Sequence, residues 1–286
     1  MTGTRSRHDG GSDFTISDPK RSAAGLVAVA VSLRRTIGQL GVTDTARTLK
    51  AINQTDGFDC PGCAWPERQD RHIVEFCENG AKAVADQAVH TRCTPEFFAR
   101  HSIEELAAQD DFWLGQTGRL THPMIRRAGA SHYEAVDWNE ALTIVADELR
   151  ALRSADEAIF YTSGRTSNEA AFAYQLLARA FGTNNLPDCS NMCHEPTSVA
   201  LNDAIGIGKG SVTFEDFDQT DLVIVVGQNP GTNHPRMLTT LEEVKRRGAH
   251  IIAVNPLPEA GLLRFKNPQR LNGVVGQGTA LADIHL

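Results

Sequence analysis

The pattern of apolar and polar positions is irregular up to about residue 135 and regular beyond it. Residues 1–22 are rich in Gly, Ser, Asp and Arg with no apolar period, which predicts a disordered tail. From residue 23 to about 52 the spacing is loosely helical, with Leu33, Ile37 and Leu40 on one face. Thr94-Pro95 opens a helical run through Leu106, with threonine at the N-cap and proline at the first helical position. Asp137-Trp-Asn-Glu140 has the form of a capping box, and Ala141, Leu142, Val145, Leu149 and Leu152 continue at helical spacing. Residues 158–162 read as a short buried strand, followed by a loop at 163–168 and a helix from about 169 to 181 that stops at Gly182. Residues 221–226 form the clearest strand. A loop at 227–235, a helix through Arg247 and a strand at 250–254 follow. Apolar strands alternating with helices predict an α/β fold with a parallel sheet.

Composition narrows the classes. The 286 residues are 41% hydrophobic and 22% charged, an ordinary globular balance able to bury a core. A net charge of −7 argues against a nucleic acid or an anionic membrane recognised by bulk charge. No run approaches the ~20 apolar residues needed to span a bilayer. The short apolar run after Lys20-Arg21 leads straight into Ser32-Leu-Arg-Arg35 without a small-residue cleavage site, so it is not read as a signal peptide. The Arg34-Arg35 pair follows that run, the wrong order for a twin-arginine signal. A cytoplasmic chain is the expectation.

The six cysteines fall into two groups: Cys60, Cys63, Cys77 and Cys93, then Cys189 and Cys193. In a reducing compartment they are core residues, metal ligands or catalytic thiols rather than a disulfide scaffold. Cys60-Pro-Gly-Cys63 is a CxxC whose Pro-Gly favours a tight turn that aims both sulfurs at one centre. It is compatible with a redox pair, half of a zinc site, an iron–sulfur cluster, or thiols that no metal joins. Pro66 stands where the helix of a thioredoxin-like pair should continue. In Asp188-Cys-Ser-Asn-Met-Cys-His-Glu195 a thiol is followed directly by an imidazole, and Thr197 and Ser198 beyond it offer capping hydroxyls. A thiolate beside a proton acceptor suits metal ligation or nucleophilic attack, whereas a buried cysteine is simply a small hydrophobe. Asn79-Gly80 is a turn signal. Arg119, Arg126 and Arg127 end a glycine-punctuated loop, as phosphate holders or as a solvated face.

In parallel sheets ligands bind beyond the carboxyl ends of the strands. The expected sites there are the loop at 163–168, the Cys-His stretch and the loop at 227–235. Their Gly, Ser, Thr and Asn residues offer backbone amides to phosphate or to a pterin-like ring. Gly227 and Gly231 do not make GxGxxG, and Gly206-Ile-Gly-Lys-Gly210 is not a P-loop, so NAD or ATP binding is unsupported.

Six stretches together resemble one family. They are Cys60-Pro-Gly-Cys-Ala-Trp-Pro66, Gly118-Arg-Leu-Thr-His-Pro-Met124, Tyr161-Thr-Ser-Gly-Arg-Thr-Ser-Asn-Glu-Ala-Ala171, Asp188-Cys-Ser-Asn-Met-Cys-His-Glu195, Gly227-Gln-Asn-Pro-Gly-Thr-Asn-His-Pro-Arg-Met237 and Val254-Asn-Pro256. Between about residues 53 and 269 the chain resembles the amino-terminal part of a bacterial molybdopterin oxidoreductase alpha subunit of the formate-dehydrogenase-like branch.

The resemblance implies an amino-terminal iron–sulfur subdomain at 23–135 and a truncated α/β molybdopterin domain at 136–286. It implies a molybdenum-bis(molybdopterin guanine dinucleotide) cofactor and a 4Fe-4S cluster. Cys60, Cys63 and Cys77 match cluster ligands. The fourth position differs: Leu114-Gly-Gln-Thr-Gly-Arg119 has neither the cysteine nor the lysine that most relatives carry there, and Cys93 is the candidate substitute. Cys193 matches the thiolate on molybdenum and His194 the acceptor of the substrate's proton, while Cys189 matches no ligand and reads as structural. Arg119, Ser163, Gly164, Arg165, Asn168, Gly227, Asn229, Gly231, Thr232, His234 and Asn255 are the cofactor-binding residues the resemblance implies. It implies a two-electron oxidoreductase acting on a small molecule, formate-dehydrogenase-like, with a possible electron-acceptor protein as partner. The alternatives are a catalytically incomplete fragment that keeps only metal binding, or a zinc-binding structural module.

Overall fold

The computed structural model describes residues 5–7, 14–16 and 18–286 other than Ala64, Gln69, Asp70 and Arg165; the side chains of 5–7, 14–16 and Cys189 are also outside the description. In chain order the elements used below are α1 (Gly25–Ala51), α2 (Glu78–Gln87), α3 (Trp138–Arg150), α4 (Asn168–Phe181), α5 (Cys189–Cys193), α6 (Glu195–Ile205), β1 (Leu222–Val226), α7 (Met237–Arg246), β2 (His250–Val254) and β3 (Ile284–His285). The chain forms two compact units, one of residues 1–91, 108–119 and 213–286, the other of 92–107 and 120–212. Ahead of α1, residues 5–7 pair antiparallel with 14–16.

The first unit is built on the βαβ pattern expected from the sequence. β1 pairs parallel with β2 from Leu222↔His250 to Val226↔Val254, and β3 joins the other edge of β2, also parallel. One face of this sheet meets α7, where Val225, Leu238, Leu241, Ile251, Ala253 and Leu281 form a buried core. The sheet is not covered on both sides: Leu222, Ile224 and Val226 on the opposite face of β1 are 47%, 55% and 64% exposed. Trp65 packs edge-on against Phe214 and Phe217 and closes one side of the core.

α1 departs from its predicted face. Leu33 and Ile37 are each 41% exposed, while Ser32, Thr36, Thr45 and Leu49 turn inward. The helix bends at Gly41, whose φ is +73°. Burial of hydroxyls is possible because Ser32 and Thr36 donate to the carbonyls of Ala28 and Ser32 one turn back, satisfying their own polarity.

Two carboxylates brace this unit. Asp218 accepts from Arg68, which with Arg247 holds its acid constant below the usual range. Asp283 accepts from Lys245 and from the Ile251 N–H, and is depressed likewise. A folded acid constant below the unfolded one means stabilisation that is present above the ordinary carboxylate range and lost as pH falls through the depressed folded value. Asp283 is 31% exposed, so its share is expected to be below about 1 kcal/mol. Urea unfolding at a series of pH values checks this: Asp283→Asn should be less stable than wild type at neutral pH and converge with it in acid. A constant difference at all pH values counts against the pairing.

The second unit holds α3 to α6. Residues 124–125 pair antiparallel with 134–135. Asp137 caps α3 by accepting the Glu140 N–H at 2.8 Å, but the expected box is one-sided because the Glu140 carboxylate pairs with Arg127. α4 is capped by Ser167 and stops at Gly182, which takes the left-handed conformation at φ +106°. Among the described residues, the buried strand expected at 158–162 is an extended segment with one bridge, Thr162↔Asp188, and one further backbone bond, from Phe160 N–H to Asn185 O. Ala158 and Phe160 point into a small core with Ala178, whereas Ile159 and Tyr161 are 70% and 48% exposed. Alternate burial of this kind is half-buried, not wholly buried. No helix among the described residues is long and apolar enough to cross a membrane.

Candidate functional site

Three of the predicted ligands gather in the first unit. The turn after Ile52 carries Asn53 at a φ of +57°, and Asn53 Oδ1 accepts the Cys60 N–H at 2.7 Å. The Asn53 amide in turn donates to the Glu75 carbonyl at 2.7 Å, tying the Cys60 loop to the segment that leads into Cys77. Cys77 is the N-cap of α2, and its sulfur accepts the Gly80 N–H at 3.4 Å. Cys60 Sγ accepts the Gly62 N–H at 3.3 Å. Asn79-Gly80 is therefore the first turn of a helix rather than the predicted chain reversal. Glycine is needed there because a Cβ at position 80 would stand 2.7 Å from Cys60 Sγ and 3.9 Å from Cys77 Sγ. Burial raises the acid constants of Cys60 and Cys77, their backbone N–H partners oppose this, and the neighbouring thiols add to the rise. Among the described residues no group of three or more His, Cys, Asp or Glu is arranged to hold a metal ion.

This thiol group is joined to the loop after β1. Asn79 Nδ2 donates to the Thr232 carbonyl at 2.7 Å. Gly227 takes a φ of +65° and donates its N–H to Val254 O at 2.8 Å, keeping the ends of β1 and β2 together. Asn255, just after β2, donates to Gln228 O and to Asn229 Oδ1, so the two strand ends share one hydrogen-bonded cap. The loop contains a short helix, Pro230–Asn233. Gly231 lies against Glu259, whose Oε1 would be 2.2 Å from an added Cβ. His234 Nδ1 is buried with no hydrogen-bond partner among the described residues. An unmet buried ring nitrogen is a feature a polar heterocyclic ligand can satisfy.

Sequence reasoning missed the residue that braces the two halves of this site. Arg236 donates to Glu67 Oε1 at 2.6 Å and to Glu75 Oε2 at 2.5 Å, linking the segment after the CxxC to the start of α7. Burial works against its charge, but Glu67 and Glu75 outweigh that and hold its acid constant above the ordinary value. Arg236, Glu67 and Glu75 are far apart in sequence, and no local pattern marks them. A cavity of about 340 Å³ opens beside Cys77, with Ser32, Phe76, Asn79, Arg236 and Phe265 among its walls.

The second unit carries the Cys-His stretch. Asp188 and Asn191 form a reciprocal capping box at the start of α5, a signal the sequence reading passed over. Cys193 is the last residue of α5, and His194 both ends α5 and opens α6. The His194 N–H donates to Ser190 O and its carbonyl accepts from Ser198 N, so the backbone at this junction is held from both sides. Thr197 and Ser198 lie inside α6 rather than capping it. Cys193 and His194 are both exposed. Ser163 and Gly164 are exposed in the loop before α4, and Asn168 is the first residue of α4. Arg165 lies outside the described residues. In the first unit, Arg119 donates to Gln87 O. Arg127 pairs with Glu134 and Glu140, the solvated-face reading of that basic loop.

Comparison with known proteins adds a family and relatives. The family model described as molybdopterin oxidoreductase matches residues 119–265. An uncharacterized oxidoreductase of Mycobacterium tuberculosis is 61% identical over 270 residues, covering 94% of this chain and 35% of that protein. Protein YdeP of Escherichia coli is 48% identical over 242 residues, 85% of this chain and 32% of its own length. Formate dehydrogenase H of Escherichia coli is 40% identical over 145 residues, 49% of this chain and 20% of its own. The chain thus spans about a third of the length of the curated relatives it matches over most of its residues.

Proposed function

Because this chain belongs to the molybdopterin oxidoreductase family, we propose that it contributes to two-electron oxidation or reduction of a small substrate, formate-dehydrogenase-like, at a molybdenum-bis(molybdopterin guanine dinucleotide) centre. The observation that carries this reading is the α5–α6 junction, where an exposed thiol and an exposed imidazole follow one another on a doubly anchored backbone. When bound, the molybdenum cofactor supplies the two-electron redox chemistry. Cys193 is the soft ligand such a metal takes. His194, the next residue, accepts the proton that leaves the substrate.

In the first unit, Gly227, Asn229, Gly231, Thr232, His234 and Asn255 are assigned to cofactor binding, with the buried, unpartnered His234 Nδ1 as the polar group that calls for a ligand. Ser163, Gly164, Arg165, Asn168 and Arg119 are assigned to cofactor binding on the same footing. Cys60, Cys63 and Cys77 are the residues that would hold a 4Fe-4S cluster, which would supply one-electron transfer toward an acceptor protein. The two backbone N–H bonds to sulfur fit that role, since such bonds stabilise cluster thiolates.

The test is purification from a host that makes the cofactor. Wild type is expected to carry molybdenum and to give pterin fluorescence after oxidation. Cys193→Ala is expected to keep the pterin and to lose activity toward a small oxidisable substrate. Wild-type protein with neither molybdenum nor pterin overturns the reading.

A further inference from the structure

We propose that the groove at the C-terminal end of α7 binds an anion of the diphosphate class, with Arg246 as the side chain that recognises it. The site is independent of the molybdenum reading. The loops at 227–235 and 255 lie beyond the carboxyl ends of β1 and β2, whereas α7 connects these parallel strands and so returns to their amino ends, a run of about 15 Å for its ten residues.

The groove lies within the first unit and has a volume of about 540 Å³, inside the roughly 300–1,000 Å³ usual for small-molecule sites. Its walls carry four guanidiniums, from Arg68, Arg246, Arg247 and Arg270, beside His72 and two carboxylates, Asp218 and Glu243. This excess of cations is local, since the chain as a whole has 35 acidic and 28 basic side chains.

Three of the four arginines are held by partners of their own. Arg68 donates to Asp218 and, at 3.3 Å, to Glu243, and its guanidinium stands 5.2 Å from the centre of the Phe214 ring. Arg247 donates to Phe217 O at 2.8 Å and pairs with Asp218 at 3.1 Å. Arg270 Nε lies 3.0 Å from Glu242, whose side chain is 4% exposed behind the groove. Asp218, Glu243 and Glu242 thus answer three cations. The fourth is unanswered: Arg246 is exposed, and its side chain has no hydrogen bond or ion pair among the described residues.

A cation near a helix C-terminus offsets the helix dipole, and that alone accounts for an arginine at position 246. It does not account for Arg68 and Arg270, which come from other segments and converge on the same hollow. A guanidinium presents its N–H donors in a fixed fork that matches two oxygens of a phosphoryl group. Guanidiniums on several walls suit two linked phosphoryl groups better than one. Because Arg68 and Arg247 are already fixed by their partners, they lose little freedom when the anion arrives.

The experiment is calorimetric titration of the purified chain with inorganic diphosphate and with orthophosphate, in low-salt buffer because exposed charges are screened by salt. Saturable binding of diphosphate, tighter than that of orthophosphate, is expected, together with a rise in the melting temperature. Arg246→Ala should weaken diphosphate at least about 10-fold, the loss of a charge-assisted contact. Arg150→Ala, which removes an equal charge from an exposed site in the second unit, should bind as wild type does. A nucleoside diphosphate that binds more tightly than inorganic diphosphate assigns the groove to a nucleotide, and one that does not assigns it to the free anion. Wild-type protein with neither saturable binding nor a shifted melting temperature overturns the proposal. So does an Arg246→Ala protein that keeps wild-type affinity, or an Arg150→Ala protein weakened as much as Arg246→Ala.

Discussion

His194→Gln is expected to lower turnover of a small oxidisable substrate such as formate by about 10²–10⁴-fold, the usual share of a general base. The substitution is mild for the fold. The His194 backbone is held by Ser190 on one side and Ser198 on the other, and its ring is exposed, so glutamine can occupy the junction without disturbing α5 or α6. What is lost is a proton acceptor beside Cys193. Steady-state rates measured beside cofactor content separate this from simple damage: turnover should fall while pterin content stays at the wild-type level. An unchanged rate would remove His194 from the mechanism.

Arg236→Met is expected to cost the first unit about 3–5 kcal/mol, because it leaves two buried carboxylates without their cation. Glu67 and Glu75 are 18% and 10% exposed, and the Arg236 side chain itself is 14% exposed. Breaking one partner of such a group is worse than removing all of it, since an uncompensated charge keeps its desolvation cost. The triple change Arg236→Met, Glu67→Gln and Glu75→Gln is therefore expected to be more stable than Arg236→Met alone. Urea denaturation of the three proteins at neutral pH decides the point. If the single variant loses less than about 1 kcal/mol, the triad is acting as an ordinary exposed ion pair. The effect should reach the thiols as well. Glu75 belongs to the segment that Asn53 ties to Cys60, so loosening it frees the Cys60 loop from Cys77.

The sequence by itself determined what depends on neighbours along the chain. The β1–α7–β2 unit was legible because buried positions recur at the period of each element, and glycines at 182 and 248 end the helices before them. The family was legible too, because its motifs are short and come in order. Spacing marked the Cys60–Cys63 pair and the adjacent Cys193 and His194 as candidates, and the family resemblance added Cys77.

Only the tertiary structure decided matters that depend on partners distant in sequence. Residues 158–162 have the composition of a buried strand, yet a strand needs a neighbour's backbone, and among the described residues this segment makes one bridge. α1 buries Ser32 and Thr36 because helical carbonyls satisfy their hydroxyls, a saving that an apolar count does not see. Gly80 looked like a turn residue until the Cys60 sulfur stood where its side chain would be. Arg236 lies 169 residues from Glu67 and 161 from Glu75, and only folding makes them a triad. In each case the deciding contact joins groups whose separation along the chain carries no periodic signal.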